Sequence, residues 1–197
     1  AEAQMSRWEM AYLTHQLLLE RDEIVTFPLD KTRKSPWCFE QQPSTAPTSV
    51  NVAWQQRNFL VNIWNKYDHS TPQPLVLAFH WRTNSNQQVR GYYKVEQAMW
   101  WKWIIVYPSW LPENSSPRNW RNWWDPSDQL RDFELFDKIV QEYTNNYCID
   151  MERIYAVGHS LWAWFTNSLS CARWDVLRAI WSVWWSTTIN ECSWPVA

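Results

Sequence analysis

Arg153-Ile154-Tyr155-Ala156-Val157-Gly158-His159-Ser160-Leu161-Trp162 is a β-branched and aromatic run, then Gly-His-Ser-Leu, then an apolar segment without glycine. It reads as a strand, a sharp turn and a helix. In a Gly-x-Ser-x-Gly nucleophile elbow the serine sits on a strained strand-to-helix turn, and its hydroxyl stands clear of the backbone at the carboxyl end of a sheet. Ser160 occupies that place. Trp162 stands where the second glycine is expected, a position with little room for a side chain because the helix start passes close to the strand. The bland alternative is a serine whose hydroxyl caps the helix N-terminus.

Outward from this turn, buried strands alternate with helical patterns. Leu75-Val76-Leu77-Ala78-Phe79-His80 and Trp103-Ile104-Ile105-Val106-Tyr107-Pro108 are continuous apolar runs of the kind parallel sheets use. Between them a polar loop is expected over Thr83 to Gln88 and a helix over Tyr93 to Met99. Asp132 to Tyr147 places Phe133, Phe136, Ile139, Val140 and Tyr143 on one helical face. A strand over 153–157, the helix after Ser160 and a β-like run from Ala179 to Val183 follow. Upstream, Val50 to Ile63 alternates as early antiparallel strands do, and Asn65 to Pro74 reads as a loop. The alternation predicts an α/β fold, a mostly parallel sheet flanked by helices. Residues 1–34 read as an N-terminal extension and 35–197 as one domain. The Pro- and Trp-rich stretch from Ser109 to Asp128 is a long loop, a length that compact domains reserve for function.

A net charge of −2 gives no electrostatic case for nucleic acid or an anionic membrane, and no apolar run approaches the roughly 20 residues of a membrane span. A soluble globular protein is expected. Four cysteines fit two disulfides in an oxidising compartment, or four buried thiols in a reducing one. No Cys-x-x-Cys or His/Cys cluster suggests a metal, and no cofactor motif is present. The start lacks a signal peptide of the usual form, so any such peptide is expected to have been removed. The composition is anomalous in having 2 glycines and 19 tryptophans. Trp37, Trp124 and Trp184 stand in turn-like or paired contexts that read as glycine positions, where positive φ or close backbone approach is wanted. The competing reading is an aromatic surface that stacks on sugars.

The order of motifs resembles a known group. Leu75 to Trp81, Ile105-Val106-Tyr107-Pro108-Ser109, Trp120-Arg121-Asn122, Asp132-Phe133, Tyr147-Cys148-Ile149-Asp150, the stretch through Ser160, Cys171-Ala172-Arg173 and Arg178-Ala179-Ile180 are similar to the polyhydroxybutyrate-depolymerase-like esterases, which include secreted feruloyl and acetylxylan esterases. The resemblance runs from about residue 38 to the end. It departs from the family at expected glycines, notably Trp110, Trp124, Trp162 and Trp174. It implies a secreted α/β-hydrolase that cleaves a small-molecule or polysaccharide-linked ester through an acyl-enzyme on Ser160. The backbone N–H of Leu161 and one from Trp81 or Arg82 would form the oxyanion hole, with His80 and Trp120 beside the substrate. In this fold the partners follow in the order Ser, acid, His. No histidine follows Ser160, and Asp175 and Glu191 are the acids that do, so the expected triad is incomplete and the C-terminal part of the fold is expected to be missing. His159 is expected to pack into the fold.

A disulfide pairing follows from element geometry. Cys171, 11 residues beyond Ser160, descends about 16 Å along a helix, and the strand from Val157 back to Arg153 covers a similar distance, with Cys148 just before it. Cys148–Cys171 is expected, leaving Cys38 with Cys192. Two functional readings stand: a serine esterase, or a catalytically silent carbohydrate-binding or scaffold domain that keeps the hydrolase fold.

Overall fold

The computed structural model describes residues 33–41, 43, 45–52, 55–80, 84–99, 103–109 and 131–183. β1 (Ser49–Val52) and β2 (Gln55–Asn62) form an antiparallel pair, and β3 (Gln73–Ala78), β4 (Ile104–Pro108), β5 (Ile149–His159) and β6 (Ala179–Val183) run parallel to one another. β2 joins β4 antiparallel, so the sheet has the order β1-β2-β4-β3-β5-β6. The mostly parallel α/β sheet anticipated from the alternation of patterns is the one observed.

The central strands are apolar at both parities because both faces of the sheet are covered. Leu75, Leu77, Ile104, Val106, Ile154 and Ala156 share one core with Leu135, Phe136 and Ile139 of α3 (Arg131–Asn146) and Phe165 and Leu169 of α4 (Leu161–Ala172). Val76, Ala78, Ile105, Tyr107 and Tyr155 share the other with Val89 of α1 (Asn86–Tyr93) and Val95 of α2 (Val95–Ala98). Helices therefore flank a sheet whose alternate residues point opposite ways.

Several boundaries differ from expectation, among them β3, which starts at Gln73 inside the expected loop and ends at Ala78, two residues before His80. The loop predicted over Thr83 to Gln88 is already helical from Asn86, because Ser85 builds a capping box: its hydroxyl accepts from the Gln88 N–H, and its own N–H donates to the Gln88 side chain. The helix predicted over Tyr93 to Met99 is instead the end of α1 and the short α2, parted by Lys94 at φ 49°, ψ 34°. β5 is also longer than the predicted 153–157.

That extra length overturns the disulfide pairing. Cys38 is bonded to Cys148 across a sequence separation of 110 residues. At about 3.3 Å per residue, the strand carries Cys148 roughly twice as far below Ser160 as α4 carries Cys171 at 1.5 Å. The chain near residue 35 meets it there. Lys34 bridges Asp150, the Ser35 N–H donates to the Ile149 carbonyl at 2.9 Å, and the Ser35 hydroxyl donates to the Tyr147 carbonyl at 2.6 Å. Cys171 is disulfide-bonded as well, while Cys192 lies outside the described residues, as does most of the expected 1–34 extension.

Of the tryptophans read as glycine positions, Trp110, Trp124 and Trp184 lie outside the described residues. Among the described residues, positive φ at non-glycine positions falls on Phe39, Lys94 and Ser160. Trp103 packs by stacking on Tyr155 at 5.4 Å.

Candidate active site

The parallel strands β3 to β6 all end at one edge of the sheet, and ligand crevices of open α/β sheets lie outside such carboxyl ends. Ser160 stands at that edge, between the last residue of β5 and the first of α4. Its backbone is at φ 61°, ψ −127°, a region that costs a residue with a Cβ about 1–3 kcal/mol. Two hydrogen bonds hold it there. The Ser160 N–H donates to the Val183 carbonyl at 3.0 Å, and the Ser160 carbonyl accepts from the Ala163 N–H at 2.9 Å. The Ser182 hydroxyl donates to the Ala163 carbonyl at 2.9 Å, tying the end of β6 to the first turn of α4.

The capping alternative for Ser160 fails on its hydroxyl. Ser160 occupies the N-cap position of α4, yet its side chain makes no capping hydrogen bond. A capping serine would adopt extended dihedrals and accept from an N–H one turn on, as Ser85 does at φ −123°, ψ 164°. Ser160 has neither property. A strand-to-helix turn with a serine at positive φ is the backbone form of a nucleophile elbow.

β3 and β5 are neighbours, with Ala78 opposite Val157, and the Phe79 N–H extends their pairing by donating to the Val157 carbonyl at 2.8 Å. His80 therefore leaves the sheet beside the Ser160 turn, and it is fully buried. His159 is half-buried and faces Tyr92 of α1 at 6.4 Å between ring centroids. Desolvation by that burial lowers its pKa from the ordinary 6.5, so it is neutral at pH 7. This is the packing role expected of it.

The relatives and solved structures point the same way. A probable feruloyl esterase C of Aspergillus flavus is 28% identical over 142 residues, covering 68% of this chain and 49% of its own length. The chain resembles feruloyl esterases. Feruloyl esterase C of Emericella nidulans is 26% identical over 154 residues, 74% of this chain and 52% of that one. A ferulic acid esterase from Anaeromyces mucronatus, solved in complex with ferulic acid, superposes with a TM-score of 0.52 at 18% identity, over 72% of this chain and 59% of its own. No family model matches. The fold is that of α/β-hydrolase esterases, the likeness is to carboxylic ester hydrolases, and the chain spans about half the length of the curated relatives it matches.

Of the residues singled out in the sequence, the structure brings Ser160, the backbone of Leu161 and His80 to one edge of the sheet. Trp81, Arg82 and Trp120 lie outside the described residues, as does Glu191. Asp175 is exposed on the turn after α4, about 18 Å of helix away from Ser160. Among the described residues, no group of three or more His, Cys, Asp or Glu is placed to hold a metal ion. Sequence reading missed Tyr92, Tyr93 and Ser182, which reach this edge from α1 and β6. No motif marks them; Tyr92 and Tyr93 come in where the end of α1 docks beside His159 and Phe79, and Ser182 through the pairing of β6 with β5.

Proposed function

We propose that this chain carries the nucleophile of a serine esterase acting on carboxylic esters of the feruloyl, acetylxylan or polyhydroxyalkanoate type. The observation that carries the reading is Ser160 at positive φ on the β5–α4 turn, with its hydroxyl not spent on capping. The hydroxyl would give up its proton and attack the ester carbonyl. The tetrahedral adduct would expel the alcohol, which takes that proton, to leave an acyl-enzyme that water then cleaves to the carboxylic acid and free serine. The tetrahedral oxyanion would be met by the Leu161 N–H, since the first N–H groups of a helix lack intrahelical acceptors. The second donor would be the backbone N–H of Trp81 or Arg82, with His80 at the base of that turn and Trp120 on the substrate side. The general base is assigned to no residue of this chain, because none of its four histidines follows Ser160 as the fold's order demands.

The feruloyl esterase relatives support an aromatic acyl group on the ester, whose alcohol part is small or polysaccharide-linked in this reading. Secretion is part of the same reading, supported by the Cys38–Cys148 disulfide. Among the described residues, no helix is long and apolar enough to cross a membrane.

Hydrolysis of methyl ferulate and p-nitrophenyl acetate by the unaltered protein and by Ser160→Ala tests the reading. The expected outcome is a loss of at least about 10³-fold in the variant, on the scale seen when one member of a catalytic unit is removed. Equal rates in the two proteins would overturn it. The second reading, a silent carbohydrate-binding domain, is favoured by one observation, Trp174 at 73% exposure. Retention on insoluble xylan that is lost in Trp174→Ala, without ester cleavage, would establish it instead.

A further inference from the structure

Three elements meet on Phe79, the residue between β3 and His80. Its N–H is bound to the Val157 carbonyl of β5 at 2.8 Å. Its ring packs edge-on against Phe165 of α4 at 5.1 Å. Its carbonyl accepts a hydrogen bond from the Tyr93 hydroxyl at 3.0 Å. Tyr93 is the last residue of α1, and Lys94 in the left-handed conformation ends the helix immediately after it. Burial pushes the Tyr93 phenol well above its ordinary pKa, so it remains a protonated donor over any working pH.

The Phe79 carbonyl and the His80 N–H belong to one peptide group, and that group is planar. Whatever holds the carbonyl also sets the direction of the N–H that follows. Phe79 lies next to Val157, three residues before Ser160, so this peptide plane is the last fixed point of β3 at the candidate active edge. We propose that Tyr93 is a positioning residue for the reaction at Ser160: its hydroxyl orients the Phe79–His80 peptide and so the path by which the chain leaves β3 beside the nucleophile. The proposal deepens the esterase reading of Ser160 and rests on it. It assigns to α1 a task at the site that no sequence motif announces, and it makes the helix an arm between the strand end and the sheet face that α1 covers.

Tyr93→Phe removes one oxygen and keeps the ring that packs against Tyr92 at 6.0 Å. Two measurements on the full chain separate positioning from simple stability. Amide hydrogen exchange at Phe79, whose N–H is bonded to the Val157 carbonyl, should quicken by about tenfold in the variant as the strand end loosens, with the Ala156 amide in mid-strand unchanged. Ester turnover should fall about tenfold in kcat with KM within about twofold, since misplacing a reacting geometry costs rate more than binding. Unchanged exchange at Phe79 overturns the proposal whatever the activity. Faster exchange with unchanged kcat also overturns it, because the hydroxyl would then only stabilise the fold. If the unaltered protein shows no turnover that depends on Ser160, the esterase reading falls and takes the kinetic half of the proposal with it, while Phe79 exchange still decides whether Tyr93 holds this strand end.

Discussion

His159 is held beside Ser160 in a half-buried position facing Tyr92, and desolvation lowers its pKa below the ordinary 6.5. The unfolded chain therefore takes up a proton near pH 6.5 that the folded protein resists. Stability falls as pH drops through that value and is regained above it, because the unfolded state binds more protons in that window. The urea midpoint should accordingly be lower at pH 5.5 than at pH 7.5, and His159→Gln should shrink the difference. A pH response identical in the variant would mean that other groups carry it. Ser160 illustrates the opposite kind of local cost. Its positive φ is a strain that two backbone hydrogen bonds from β6 and α4 sustain. The Gly158-His159-Ser160 motif made the turn legible in the sequence, whereas its positive φ and the missing cap bond appear only in the structure.

At the scale of elements, the start of α1 was not read from the sequence, and its cap explains why. The polar residues from Thr83 to Gln88 look like a loop, yet Ser85 and Gln88 satisfy each other's backbone donors and start the helix at Asn86. Ser85→Ala should cost about 1 kcal/mol in urea denaturation, the usual worth of an N-cap side chain. If α1 orients the Phe79 peptide through Tyr93, the same substitution should also quicken amide exchange at Phe79, and a cap variant that leaves it untouched would confine the effect to the helix start. α3 is anchored differently. Arg57 of β2, its side chain fully buried, meets Asp132 in the first turn at 2.9 Å and reaches the Ser109 carbonyl at 3.4 Å. Both flanks of residues 110–130 are thereby tied to β2. An arginine suits this task because its planar fork can serve two acceptors from a dry position.

For the molecule as a whole, the Cys38–Cys148 bond closes 110 residues of chain and joins the segment around Ser35 to the lower end of β5. A cross-link of that span restricts the unfolded ensemble strongly. Replacing both cysteines with serine should lower unfolding stability by about 4 to 5 kcal/mol on the loop-entropy account. Calorimetry of the double variant under matched conditions checks it. A loss below about 1 kcal/mol would mean that the Ser35 hydrogen bonds to Ile149 and Tyr147 hold the segment unaided.

The sequence by itself determined the α/β class, because Leu75–Ala78 and Ile104–Tyr107 are apolar at both parities, as only strands covered on both faces are. It also determined α3, through its 3.6-residue stripe, and the turn at Ser160. Those features are written in local periodicity and in single residue types. The tertiary structure decided the disulfide partner, the split of α1 from α2 and the arrival of Tyr93 at the Phe79 carbonyl. Each of these depends on how far an element extends and where a distant segment docks. Periodicity records which face of an element is buried, and carries no term for the length at which a strand stops or for the neighbour that meets its end.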